Sequence, residues 1–267
     1  MTRTALIAGR GALPAALAAA LDNPLVAALD GFPPEGIAPD ITFRVERLMP
    51  FLGALRSAGV GRVVFAGGIA RPQLDPALFD PATAQVVAQL LPAIRAGDDA
   101  TLRAVVALFE EEGFTVAGLA EVAPGLIPAA GVLAGTVTAA DEGDAARAAA
   151  IVAALGAVDV GQGAVVQQGL CLAVEALPGT DRMLAEVAAL PAALRPAGAR
   201  GLLFKAPKPG QDRRIDLPAL GPRTVHAVAR AGLGGIAWAA GGVVLIDRAG
   251  VVAAAADHGL FLWARDA

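Results

Sequence analysis

The chain has 267 residues, of which 56% are hydrophobic and 17% charged, and its formal net charge is −4. This composition supplies buried cores for one large or two medium globular domains. It argues against a nucleic-acid-binding protein, which needs a basic surface and aromatic platforms, because only 4% of residues are aromatic and none is tyrosine. One cysteine and two histidines also exclude a dedicated zinc site.

The start of the chain predicts a cytoplasmic protein. Residues 4–8 have a strand pattern, so no signal peptide is expected, and no apolar run reaches the ~18 residues of a spanning helix without glycine, proline or charge. The lone Cys171 lies in a strand-like run and is interpreted as a small buried hydrophobe rather than a reactive thiol.

Strand and helix patterns alternate in the N-terminal half. This alternation is typical of a parallel sheet with crossover helices. The predicted elements are strands at residues 4–8, 25–29 and 62–66 and helices at residues 14–21 and 48–58. We therefore predict an α/β fold whose N-terminal domain, residues 1–133, is Rossmann-like.

A glycine-containing turn, G-R-G-A-L-P at residues 9–14, follows the first predicted strand. Pro14 stands where the third glycine of a dinucleotide fingerprint would allow close helix packing, which disfavours a nicotinamide-dependent oxidoreductase. Asp30 would be the only candidate for the acid that binds the ribose of such a cofactor. The turn instead favours a helix start whose free backbone N–H groups can meet an anion.

A second pair of glycines, Gly67 and Gly68, follows the third predicted strand and leads to Arg71. The two turns occupy equivalent positions at strand ends, where α/β proteins bind ligands. We expect both to face one ligand, with contacts from Gly11, Ala12, Gly67, Gly68 and Arg71.

Residues 81–114 have a helical pattern with a break at Gly97. Asp98 and Asp99 follow the break and are interpreted as helix caps, with contact to a ligand as the alternative. Residues 131–141 are small and polar and are interpreted as the interdomain linker.

The C-terminal domain, residues 134–267, has a mixed α/β pattern. A hairpin is expected about residues 167–169, and Thr180 or Asp181 is expected to cap a helix that runs to Leu190. The other predicted elements are helices at residues 141–155 and 222–231, strands at 201–204, 235–239 and 243–246, and a terminal helix and strand.

Residues 205–216 read K-A-P-K-P-G-Q-D-R-R-I-D and form a cationic loop after the strand at 201–204. Two prolines stiffen its backbone and exclude an interior helix turn. A solvated surface loop is one interpretation, and a phosphate-binding loop at a strand end is the one we favour. Lys205, Lys208 and Arg214 would hold phosphate, and Asp212 is expected to pair with Arg213, with a role as a ligand as the alternative.

Further polar segments of the C-terminal half are candidates for the same site. Gln162 and Gly163 lie in a glycine-rich turn, and Thr180 and Asp181 could cap a helix or bind phosphate. Glu175 ends an apolar strand, where burial would call for a metal or a lysine as its partner.

Sequence motifs in both halves resemble one known family. G-Q-G-A-V-V, A-V-E-A-L-P-G-T-D-R-M-L, K-A-P-K-P-x-Q-D-R-R-x-D-L-P-x-x-G and R-A-G-L-x-G-I-A in the second half, with L-I-A-G-x-G-x-L-P in the first, are similar to the UDP-2,3-diacylglucosamine diphosphatases of the LpxI type. The resemblance covers nearly the whole chain.

The resemblance implies a two-domain, magnesium-dependent hydrolase of lipid A biosynthesis. Such an enzyme splits UDP-2,3-diacylglucosamine into UMP and 2,3-diacylglucosamine 1-phosphate, with the ligand between its domains. It also implies a homodimer that contacts the inner membrane transiently and binds no nucleic acid. A non-catalytic protein that binds nucleotide sugars or phospholipids is the main alternative, which a set of carboxylates able to recruit metal disfavours.

The resemblance and the residue types together assign site roles. The predicted catalytic residues are Asp216, Lys205 and Lys208, and the predicted Mg²⁺ ligands are Asp216, Glu175 and Asp181. The predicted substrate-binding residues are Gly11, Ala12, Gly67, Gly68, Arg71, Gln162, Gly163, Thr180, Asp181, Lys205, Arg214 and Arg223. Arg10 departs from the three successive glycines of the family's first turn, and it would cost about 1 kcal/mol if that position needs a positive φ.

Overall fold

The computed structural model describes residues 2–70 and 72–266, which form two compact units. The first unit comprises the residues up to Pro124 together with Asp212–Asp216, and the second comprises Gly125–Gln211 and the residues from Leu217 onward. The structure thus divides the chain after Pro124, whereas the sequence-based boundary lies between residues 133 and 134. No helix in the described ranges is long and apolar enough to cross a membrane.

The first unit is built on a five-stranded parallel sheet in the order β3-β2-β1-β4-β5. Its elements are β1 (Arg3–Ala8), α1 (Leu13–Ala20), β2 (Leu25–Leu29), β3 (Ile41–Phe43), α2 (Leu48–Ser57), β4 (Val60–Ala66), α3 (Pro81–Ala96), α4 (Asp98–Glu111), β5 (Thr115–Val116) and α5 (Leu119–Val122). Strands β1 and β2 are almost continuously apolar because both faces of a parallel sheet are covered. The predicted Rossmann-like pattern is confirmed.

One face of this sheet packs against α2 and α4. Phe51, Leu52 and Leu55 of α2 and Val106 and Phe109 of α4 are buried in the same cluster as the strand residues. This packing fixes the C-terminal end of α4, which carries Glu110, against the sheet.

The second unit is built on a six-stranded mixed sheet in the order β6-β13-β11-β9-β7-β8. Its elements are β6 (Gly131–Ala134), α6 (Ala139–Ala157), β7 (Gly163–Gln167), β8 (Leu170–Val174), α7 (Gly179–Ala188), β9 (Leu202–Lys205), β10 (Ala219–Leu220), α8 (Pro222–Arg230), β11 (Gly235–Ala239), β12 (Val244–Leu245), α9 (Arg248–Asp257) and β13 (Phe261–Arg265). Strands β9, β11 and β13 are parallel, and β6, β7 and β8 are antiparallel to their neighbours. The predicted mixed α/β fold and its hairpin are confirmed.

Helices cover both faces of the six-stranded sheet. Residues of α7, α8 and α9 share a core with Leu203 and Trp238, whereas Ala145, Ala148 and Val152 of α6 pack on the other face. Side chains that alternate along a strand therefore enter different cores, and Lys205 lies on the α7 face, two residues after Leu203.

Four local predictions are wrong. Neither Thr180 nor Asp181 caps α7, because both lie in its first turn and its N-cap residue, Pro178, offers no side-chain cap. Residues 131–134 are not linker but the edge strand β6, which pairs with β13 through long-range hydrogen bonds that local composition does not encode. Cys171 is exposed rather than buried, because β8 lies at the other edge of the sheet. Asp98 and Asp99 lie in the first turn of α4 rather than at its N-cap, which is Gly97 and offers no side-chain cap.

Candidate functional site

The two glycine turns of the first unit lie side by side. The Arg10 amide donates to the Gly68 carbonyl oxygen at 2.9 Å, and the Gly68 amide donates to the Arg10 carbonyl oxygen at 3.0 Å. A Cβ atom on Gly9 would stand 2.7 Å from the Gly68 oxygen, so a side chain there would force the turns apart. The turns follow β1 and β4, and the strand order continues from β1 to β2 and β3 on one side and from β4 to β5 on the other. Open α/β sheets bind ligands in the crevice that forms where the strand order reverses in this way.

Arg10 is compatible with this geometry because it does not take the strained conformation. The left-handed position is Gly11, whose φ is +94°, and Arg10 itself has no positive φ. The Arg10 guanidinium donates to the Gly31 carbonyl oxygen at 2.7 Å and lies 4.7 Å from the centre of the Phe32 ring. A cation is thus held beside the glycine turns and the start of α1, where Ala12 is the N-cap. Arg71 lies outside the described residues.

Lys205 is the centre of a buried polar cluster in the second unit. Its Nζ donates to Thr180 Oγ1 at 2.7 Å and lies 3.5 Å from Glu175 Oε1, and the Thr180 hydroxyl donates to the same carboxylate oxygen at 2.6 Å. The side chains of Lys205 and Glu175 are only 5% and 9% exposed. Of the two partners that the sequence allowed for Glu175, the structure provides the lysine.

Gly163 makes this ion pair possible. It lies between the two charged residues. On one side it is in register with Lys205, and on the other its carbonyl oxygen accepts a hydrogen bond from the Glu175 amide at 2.8 Å. A Cβ atom on Gly163 would stand 2.7 Å from Glu175 Oε2, so glycine leaves the space through which the carboxylate reaches the lysine.

Buried polar atoms without a hydrogen-bond partner adjoin this cluster. They include Glu175 Oε2, Oε1 of Gln162, which precedes Gly163, and Nε1 of Trp238, which is in register with Lys205. Buried polar groups are normally hydrogen-bonded, so these atoms are candidates for contact with water or a polar ligand group.

Lys208 pairs with Asp159, which is not among the predicted site residues. Lys208 Nζ lies 2.5 Å from Asp159 Oδ1, and the Lys208 amide donates to Gln211 Oε1 at 2.8 Å. Asp159 has a φ of +57°, a conformation that aspartate tolerates better than most residues. The only sequence signal for it was an aspartate just before the turn that contains Gln162.

Asp212 pairs with Arg214 and not with Arg213, which corrects the prediction. Arg214 Nη2 lies 2.6 Å from Asp212 Oδ2, and Arg214 Nη1 lies 2.7 Å from Glu110 Oε1. Hydrogen bonds from the Arg214 side chain hold the pKa of Asp212 below its ordinary value of 3.8. The Asp212 carboxylate therefore stays ionised beside Arg214 at neutral pH.

Asp216 ends the same segment and belongs to the first unit, whereas Lys205 and Lys208 belong to the second. Its amide donates to the Asp212 carbonyl oxygen at 3.3 Å, and the residue is half-buried.

Asp181 and Arg223 are largely exposed and lie 3.4 Å apart. They line a groove of about 350 Å³ between α7 and α8, together with His226 and Arg230. The contact is too long and too exposed to fix either side chain.

The predicted magnesium ligands do not form a protein-only cage. Among residues 2–70 and 72–266, no group of three or more His, Cys, Asp or Glu side chains could hold a metal ion. Glu175 already pairs with Lys205, and Asp181 lies near Arg223. Magnesium nevertheless needs only one or two carboxylates when water and substrate phosphates supply its other ligands, so the donor set fits an ion shared with a diphosphate.

Comparisons with known proteins agree across both units. Residues 3–126 match the LpxI N-terminal domain, and residues 129–263 match the LpxI C-terminal domain. The UDP-2,3-diacylglucosamine pyrophosphatase LpxI of Caulobacter vibrioides is 42% identical over 272 aligned residues, covering 98% of this chain and 97% of that protein.

Proposed function

The chain belongs to the LpxI family, and from that premise we propose that it hydrolyses the pyrophosphate bond of UDP-2,3-diacylglucosamine to UMP and 2,3-diacylglucosamine 1-phosphate. The observation that carries the proposal is the 42% identity to a pyrophosphatase of that name across both units. The buried lysine cluster and the paired glycine turns are the features of this chain that suit a diphosphate.

The reaction needs an oriented water and neutralisation of the phosphate charge. A new P–O bond forms from water as the bond to the bridging oxygen breaks, and the water loses a proton. We assign Asp216 the task of orienting that water and accepting its proton. A carboxylate is suited to this because its oxygens accept hydrogen bonds.

The cations of the second unit supply part of the neutralisation. Lys205 and Lys208 each carry a charge whose position is set by a carboxylate, Glu175 for the first and Asp159 for the second. A lysine held in one place loses less entropy when it meets a phosphate, and that benefit applies both to substrate binding and to the transition state.

The glycine turns and Arg10 supply a second anion-binding feature, in the first unit. Backbone N–H groups at the start of α1 and the guanidinium of Arg10 suit a phosphate or another anionic group of the substrate. Gly67 and Gly68 contribute by letting the second turn approach the first.

Magnesium is part of the proposal. When bound, it would neutralise charge on the phosphate oxygens, with Asp216 as the first candidate ligand and Glu175 and Asp181 as the others. We further propose that the protein is a cytoplasmic homodimer. It would contact the inner membrane transiently, because a diacylated substrate resides in a bilayer.

The test is the release of UMP from UDP-2,3-diacylglucosamine, measured with magnesium and with a chelator in its place. We expect release with magnesium and little without it. A matched reaction with UDP-glucosamine tests the lipid requirement: burial contributes about 0.8 kcal/mol per CH₂ group, so the deacylated compound should be a poor substrate. Binding of the diacylated compound without UMP release would instead support the non-catalytic alternative.

A further inference from the structure

The segment Asp212–Asp216 is a short turn of the first unit, although its chain neighbours Gln211 and Leu217 belong to the second. The amides of Ile215 and Asp216 both donate to the Asp212 carbonyl oxygen, at 3.2 and 3.3 Å. These bonds close one helical turn, which places Asp216 at a fixed offset from Asp212.

The turn is seated on the first unit by packing as well as by hydrogen bonds. Ile215 packs against the hydrophobic cluster that contains residues of α2 and α4. The segment also lies close over Gly118, since a Cβ atom on that glycine would stand 3.3 Å from Arg214 Cα. A side chain at Gly118 would push the turn away.

Arg214 links this turn to helix α4. Its Nε and Nη2 donate to the Asp212 carboxylate at 3.0 and 2.6 Å, and its Nη1 donates to Glu110 Oε1 at 2.7 Å. All three guanidinium nitrogens are therefore engaged by two carboxylates. The planar fork of arginine suits this arrangement, which the point charge of a lysine could not reproduce.

We propose that Glu110 is a positioning residue for the hydrolysis, acting through Arg214 and Asp212 on the turn that presents Asp216. The inference rests on the proposed function and on the assigned role of Asp216. Arg214 is then a link within the first unit rather than a ligand of the substrate phosphates.

A positioning role differs from a purely structural one in what its loss changes. The Glu110 and Arg214 side chains are 45% and 41% exposed, and ion pairs as exposed as this one add little to folding stability. Small displacements of a catalytic group, however, can lower a rate by up to about 100-fold. Loss of Glu110 should therefore appear in turnover and not in unfolding.

The experiment compares Glu110→Ala with Glu110→Gln and with Glu111→Ala, an exposed neighbour on the same helix that serves as the matched control. Glu110→Ala should lower kcat by roughly 10- to 100-fold with a smaller change in KM. Glu110→Gln should retain more activity, because its amide oxygen can still accept from Arg214. The unfolding midpoint of all three should stay within about 4 °C of the parent protein.

A double-mutant cycle tests whether Glu110 acts through Asp216. In an Asp216→Ala background, Glu110→Ala should lower kcat no further. A full multiplicative loss in that background, or an unchanged kcat in Glu110→Ala alone, would overturn the inference. The proposed function fails in a different way: the parent protein would then release no UMP, or Asp216→Ala would turn over like the parent.

Discussion

Replacing Glu175 with alanine should destabilise the second unit, because it leaves the Lys205 ammonium buried without its carboxylate. The lysine side chain is only 5% exposed, and its remaining hydrogen bond is to the neutral Thr180 hydroxyl. Removing one partner of a buried ion pair costs about 3–5 kcal/mol. With a shift of about 2–4 °C per kcal/mol for a protein of this size, the unfolding midpoint should fall by roughly 6–20 °C.

The assay is thermal or urea unfolding, with hydrogen exchange to locate the effect in the strands β7, β8 and β9. The matched control is the double replacement Glu175→Leu with Lys205→Met, which removes both charges and should recover much of the lost stability. A loss below about 1 kcal/mol for Glu175→Ala, the value of an exposed pair, would show that this ion pair is not buried as described.

The remaining predictions concern other parts of the site. Asp159→Asn should keep the fold, because asparagine tolerates a positive φ, but it should raise KM several-fold because it removes the ion pair that positions Lys208. An unchanged KM would argue against that positioning. Gly163→Ala should mimic part of the Glu175→Ala loss, since a Cβ would meet the carboxylate at 2.7 Å, and a stability equal to that of the parent would contradict the contact. The pair of Asp212 with Arg214 should contribute its full stability above pH 3.8, the ordinary pKa of the carboxyl group, and lose it as the pH falls through the lowered pKa of Asp212. In Asp212→Asn, the free energy of unfolding should therefore depend less on pH over this acidic range.

The sheets could be predicted from the sequence because their strands carry strong local patterns. Continuous apolar runs mark β1 and β2, and a short turn after Gln167 marks the hairpin of β7 and β8. The equivalent positions of the two glycine turns at strand ends could also be predicted, whereas their direct contact follows from the pairing of β1 with β4. Position within a sheet is not a local property, which is why the edge strand at Gly131–Ala134 and the exposure of Cys171 were missed.

The partners of charged side chains were harder to predict than the elements that carry them. Asp212 is adjacent in sequence to Arg213 but pairs with Arg214, because the closed turn and the distant Glu110 fix where that guanidinium lies. The same limit hid Asp159, whose importance depends on a fold that brings it to Lys208. Sequence composition indicated a cationic loop, whereas the structure shows which carboxylates form ion pairs with Lys205, Lys208 and Arg214.

The most direct test of the account is the rate of UMP release from UDP-2,3-diacylglucosamine by the parent protein and by Asp216→Ala, measured beside substrate binding. We predict magnesium-supported release by the parent protein. Asp216→Ala should retain substrate binding but have a kcat about 1,000-fold lower, which corresponds to about 4 kcal/mol of lost transition-state stabilisation. An Asp216→Ala variant that keeps more than about a tenth of the parent kcat would contradict the catalytic assignment. A parent protein that binds the substrate but releases no UMP would contradict the proposed function itself.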